Sequence, residues 1–80
     1  MKNSNKVSIL NLRQGDEIKF ADGLGTHTAL VMSRPEKWGN RNEYSVAICY
    51  TSTTNEKYTE VGSEGYKFFR NYKSTVTKIS

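Results

Sequence analysis

Tyr44-Ser45-Val46-Ala47-Ile48-Cys49-Tyr50 sets large apolar and aromatic side chains at every second position, with the smaller Ser45, Ala47 and Cys49 between them. A period of two collects the large set on one face of a β-strand, whereas a helix would scatter it around its axis. The same period recurs upstream. Ile18 and Phe20 alternate with Glu17 and Lys19, which predicts a half-buried strand. Thr28, Leu30 and Met32 alternate with Ala29 and Val31, and apolar residues at both parities predict a strand covered on both faces. Residues 58–61 and 75–79 are shorter, threonine-containing strand candidates, and residues 7–12 read as an edge strand or an extended arm.

The punctuation agrees with strands. Gln14-Gly15-Asp16 is a turn before the first strong strand, and Asp22-Gly23-Leu24-Gly25 is a glycine-relieved hairpin loop. Residues 34–42, with Pro35, Gly39 and two asparagines, form a longer loop between the two best strands. Residues 51–57 are a polar connection, and Gly62-Ser63-Glu64-Gly65 is another turn. Residues 65–72 read as a strand or as a short helical stretch entered from Ser63, so a helical turn near residues 63–71 is the alternative there. Short strands with turns about every ten residues predict an all-β or mainly β chain, folded as one small antiparallel barrel or half-barrel. The single domain is expected to span residues 1–80, with residues 1–6 flexible.

Eighty residues bury a modest fraction of their surface, so the chain has little stability to spare. Cys49 is the one cysteine and His27 the one histidine, which excludes an internal disulfide and a Cys/His zinc site within one chain. No metal or cofactor is expected. A compact core alone, or a homodimer, must supply the stability. Met1-Lys2-Asn3-Ser4-Asn5-Lys6 is polar, so no signal peptide is expected, and no run approaches a membrane span. A lone thiol fits a reducing compartment, so a cytoplasmic location is expected.

Leu12-Arg13-Gln14-Gly15-Asp16-Glu17-Ile18-Lys19-Phe20, followed by a glycine turn and an apolar strand, resembles the opening of an SH3-like barrel of the KOW type. In such modules a turn ending in Gly-Asp starts the first barrel strand. The resemblance covers residues 12–32 and implies an SH3-like barrel with a nucleic-acid-binding role. This chain has Thr28 where KOW modules open the second strand with glycine, and Asp22 where their hairpin is basic. Both departures weaken the carry-over of nucleic-acid contacts onto that loop. The size and the Asn/Ser/Thr/Lys/Tyr-rich composition look like small accessory proteins of bacteriophages, which would place the chain in a host cytoplasm.

Catalysis has little to work with. Asp16 and Glu17 are adjacent, so on a strand they face opposite ways, and turn capping accounts for them. A nucleophile would have to be Cys49 served by His27, yet Cys49 reads as a small, partly buried strand residue and His27 as a hydrogen-bonded one. Gly23-Leu24-Gly25 lacks the lysine and helix of a phosphate-binding loop. A non-enzymatic protein is expected.

The charges are sorted along the chain. Residues 1–13 hold three basic residues and no acid, and residues 65–80 hold four and no acid. All eight carboxylates lie between Asp16 and Glu64 beside five basic residues, so the ends carry +7 and the middle −3. Residues 66–73 also interleave cations with rings. If the two ends meet, Lys6, Arg13, Lys67, Arg70, Lys73 and Lys78 form one basic patch, with Tyr66, Phe69 or Tyr72 available to stack on bases. The loop around Arg34, Lys37, Trp38 and Arg41 extends that patch, with Trp38 either an exposed platform or a lid over the barrel end. Within residues 66–73 the plainer alternative is that Phe68 and Tyr72 fill the barrel. The expected partner is RNA or another nucleic acid. The alternative is a phage-type inhibitor or adaptor that binds an acidic or nucleic-acid-binding host protein such as a nuclease, toxin or polymerase. Residues 75–79 read as an edge strand able to pair with a partner or with a second copy.

Overall fold

The computed structural model describes residues 5–38 and 42–79. Seven strands run through them: β1 (Lys6–Ser8), β2 (Glu17–Asp22), β3 (Gly25–Val31), β4 (Glu36–Lys37), β5 (Tyr44–Thr53), β6 (Glu64–Phe69) and β7 (Thr75–Lys78). One 3-10 turn, Ile9–Asn11, follows β1 and is capped by the Ser8 side chain, which accepts from the Leu10 N–H. Every pairing is antiparallel. The sheet runs β1-β7-β2-β3-β5. Tyr44 pairs with both Lys37 and Phe69, and Ile48 with both Val31 and Gly65, so β3 and β4 share one edge of β5 while β6 takes the other. The result is a half-barrel that matches a small all-β SH3-like fold. Among the described residues no strand closes the gap between β6 and β7. None of the described helices is long and apolar enough to cross a membrane.

The inner face is built by parity. Ile18 and Phe20 of β2, Ala29 and Val31 of β3, and Val46 and Ile48 of β5 are buried together with Ile9, Leu12, Phe69 and Val76. Here β2, β3 and β5 follow their alternations, but the face of β3 differs from expectation. The register pairs Ile18 with Ala29 and Phe20 with His27, which turns His27, Ala29 and Val31 inward. Leu30 and Met32 then face outward and are exposed, so β3 is not covered on both sides. Pairing across the hairpin overrides side-chain size, because a one-residue slip would also move Ile18 and Phe20 to solvent.

Thr28 pairs with Ser52 while Ala29 pairs with Tyr50, which leaves Thr51 as an extra residue in β5. Such a bulge bends its strand and sharpens the local twist, curling a flat meander into a half-barrel. Its hydroxyl is satisfied: Thr51 Oγ1 donates to Glu17 Oε2 at 2.7 Å and lies 2.6 Å from Thr28 Oγ1.

Of the two alternatives for residues 65–72 the strand is the one formed, as β6, and the one 3-10 turn among the described residues lies near the N-terminus. Other expectations are corrected. Residues 58–61 are not a strand, since the N–H groups of Tyr58 and Thr59 both donate to the Asn55 carbonyl and close a turn. Residues 75–78 are not an edge: β7 lies between β1 and β2, so its backbone is not free to pair with a second copy. Among the described residues the free edges belong to β1, β4 and β6. Because β1 pairs with β7, Lys6 sits opposite Thr77, and the first and last strands of the chain lie side by side.

The β2–β3 hairpin depends on one glycine. Gly25 has φ +134°, and a Cβ there would lie 2.5 Å from Thr54 Oγ1, whereas a Cβ on Gly23 would meet nothing within 4 Å. Gly25→Ala should cost about 1–3 kcal/mol in urea unfolding, and Gly23→Ala less than about 0.5 kcal/mol.

Candidate functional site

The unclosed side of the half-barrel is a groove of 410 Å³. Its cations come from separate parts of the chain: Lys6 from β1, Lys19 from β2, Lys67 from β6 and Arg70 just beyond it. Phe68, Phe69 and residues 74–77 complete much of the wall, and among the described residues no carboxylate lines it. These residues meet there because β1 pairs with β7, β7 with β2, and β6 stops short of β7.

Lys67 is the unusual member. On β6 the inward parity belongs to Gly65, Lys67 and Phe69, since Phe69 is buried while Tyr66 and Phe68 are exposed. An inward lysine would normally be costly. Here its ammonium lies 5.2 Å from the centroid of Phe20 and 5.5 Å from that of Phe69, at the mouth of the open side. The apolar stem covers the barrel interior, while the charge rests on ring faces within reach of water.

The outward parity of β6 builds a second surface. Tyr66 and Phe68 are 66% and 52% exposed, and Trp38, 59% exposed, meets Phe68 edge to face at 5.9 Å. With Leu30 of β3 and Met32 just beyond it they make an apolar row across the outer face of β3, β5 and β6. Met32, Ala47, Glu64 and Tyr66 line a smaller hollow of 350 Å³ on this face. Trp38 is therefore an exposed platform and not a lid. Phe68 belongs to both surfaces, since it also lines the groove.

Of the residues expected to form the site, Lys6, Lys67 and Arg70 gather at the groove. Tyr66 is on the outer face. Phe69 is buried in the core and reaches the groove only at its wall beneath Lys67, while its neighbour Phe68 is the exposed one. Tyr72 is exposed as well, with Lys73 Nζ 5.8 Å from its ring centroid, so neither Phe68 nor Tyr72 fills the barrel. Arg13 sits in the turn before β2, where its N–H donates to Asp16 at 3.0 Å, and Lys78 lies 3.7 Å from the same carboxylate. Asp16 offsets part of the Lys78 charge, whereas its bond to Arg13 is to the backbone and leaves the guanidinium's charge untouched. Arg34 and Lys37 are exposed around β4, near Trp38 and away from the groove lining. Arg41 lies outside the described residues. Lys19 and Phe68 were not singled out in the sequence. Lys19 was legible only as the solvent side of a strand, and its place at the groove follows from its pairing with Thr77 of β7.

His27 is fully buried between the rings of Phe20 and Tyr50, with centroids 5.5 Å away in each case. Its Nε2 is 3.0 Å from Asp22 Oδ1 and its Nδ1 2.8 Å from Thr53 Oγ1, which ties the β2–β3 hairpin to the end of β5. Cys49 lies on the opposite face of the sheet, where its Sγ donates to the Gly62 carbonyl, so the two cannot act as a pair. Among the described residues no group of three or more His, Cys, Asp or Glu could hold a metal.

Asp22 is held below the usual aspartate range. Burial raises its pKa, but the hydrogen bonds from His27 and the Leu24 N–H, with the positive charge of His27 and Lys67, outweigh that effect. A depressed carboxylate stabilises the fold above its unfolded pKa, about 3.9, and that stability is lost as pH falls through the lower folded value. Thermal melts of the protein should therefore lose stability below about pH 4, and Asp22→Asn should flatten that limb of the profile. The chain matches no known family model, no curated protein and no solved structure.

Proposed function

We propose that this protein is a small non-enzymatic binding module that takes single-stranded nucleic acid, RNA foremost, along the open side of its half-barrel. The observation that carries this is the convergence of Lys6, Lys19, Lys67 and Arg70 on a groove that no carboxylate of the described residues lines. Neutralising phosphates needs several cations on one surface, and the counterions so released drive binding. The chain as a whole carries only +4, so attraction comes from where the cations are placed more than from their number. Phe68 at the groove rim, with Tyr66 and Trp38 beyond it, gives bases of an unpaired strand ring faces to stack on, at about 1–3 kcal/mol per base. A duplex hides those faces.

A second reading has its own support. The outer row of Leu30, Met32, Trp38, Tyr66 and Phe68 is an exposed apolar surface rich in residues that anchor protein interfaces. It favours a protein partner, as an inhibitor or adaptor would have.

Salt separates the two. Fluorescence anisotropy with a labelled mixed-sequence RNA should give log K against log salt a slope of about −3 for four phosphate contacts, at about −0.7 each. Arg70→Ala and Lys6→Ala should each make the slope shallower by about 0.7, while Lys57→Ala, outside the groove, should leave it unchanged. No binding at low salt, or a slope indifferent to Arg70 and Lys6, would remove the nucleic-acid reading and leave the protein partner.

A further inference from the structure

The wall of the groove formed by β6 has a backbone as well as side chains. The Tyr50 N–H donates to the Ser63 carbonyl at 2.9 Å, and the Met32 N–H to the Ala47 carbonyl at 2.7 Å. Hydrogen-bonded and non-bonded pairs alternate in an antiparallel ladder. Continuing the β5–β6 register from the Tyr50–Ser63 pair, the backbone groups of Gly65, Lys67 and Phe69 point at β5. Those of Glu64, Tyr66 and Phe68 therefore point into the gap beside β7. Among the described residues none of these outward groups has a backbone partner.

Side chains alternate along the same edge. On the inner side Lys67 presents an ammonium, with Lys6, Lys19 and Arg70 around the groove. On the outer side Tyr66 and Phe68 present exposed rings, extended by Trp38. A strand laid against this edge meets cations with one parity of its residues and aromatic rings with the other. A second copy fits badly: a two-fold register through Lys67 sets Lys67 opposite Lys67, one through Tyr66 still leaves the two lysines diagonal on the same face, and an inward charge on an edge discourages such pairing.

We infer that the free edge of β6 is a strand-addition site for an extended polypeptide that alternates carboxylates with apolar residues. Its carboxylates face Lys67 and the groove, its apolar residues pack on Tyr66 and Phe68, and its backbone completes the ladder left open at residues 64, 66 and 68. Such a segment uses some of the cations assigned to nucleic acid, so the two ligands compete. The peptide site does not depend on nucleic acid entering the groove.

The test uses a short fluorescein-labelled peptide alternating valine and glutamate. One control has the same composition with all glutamates at one end, and another is N-methylated at alternate amides on the side that would bond to β6. Anisotropy against the full-length protein should show saturable binding of the alternating peptide. Both controls should bind at least about tenfold more weakly, the loss of roughly one or two hydrogen bonds or cross-strand pairs. Phe68→Pro, which removes an outward N–H that β5 does not use, should weaken binding similarly while leaving the circular dichroism unchanged. Equal binding of the three peptides would mean charge attraction alone and would overturn the inference, as would absence of binding. RNA binding without peptide binding would also overturn it and leave the nucleic-acid reading standing. Peptide binding without RNA binding would support the strand-addition site and remove that reading.

Discussion

The barrel is one pairing short of closure, and Lys67 sits at the gap. An apolar side chain at that inward position would leave a hydrophobic slot open to water between β6 and β7. A lysine whose stem lies over Phe20 and Phe69 covers the interior and keeps its charge at the opening. The same residue therefore seals the core and makes the mouth of the barrel positive. Lys6, Lys19 and Arg70 are brought to that mouth by the strand order, not by proximity in sequence.

Two long-range constraints hold the gap in shape. At one end of the chain order β7 is sandwiched between β1 and β2, which fixes Lys6 and Lys19 on one wall. At the other, the bulge at Thr51 bends β5 and carries β6 round toward the opposite wall. His27 ties these halves together. It is buried among rings, with one nitrogen near Asp22 in the hairpin and the other near Thr53 at the end of β5. A polar group so deeply placed is costly unless both its nitrogens are satisfied, and here they are.

Much of the fold was legible because strands announce themselves by parity. Ile18 and Phe20, and Val46 and Ile48, face the core as their alternation requires. Parity failed where both sets were apolar. In β3 the larger Leu30 and Met32 pointed to the wrong face, and only pairing with β2 could decide it. In β6 the Phe68-Phe69 doublet offers a ring to either side, and a lysine at an inward position reads as solvent-facing by composition. The central place of β7 was hidden because its two neighbours come from far earlier in the chain. For the site, the sorted charges pointed to Lys6, Lys67 and Arg70. Lys19 escaped because it lies in the stretch whose net charge is negative, and the nearness of Asp16 to Lys78 was hidden because it arises only on folding.

An open edge on β6 is the condition for both proposed ligands, and amide hydrogen exchange of the free protein, followed by NMR, reads it residue by residue. The N–H groups of Gly65 and Lys67, bonded toward β5, should exchange slowly, and those of Tyr66 and Phe68, facing the gap, should exchange at nearly unprotected rates. Slow exchange at all four would mean that another strand already covers this edge, and the groove would not exist in the form described.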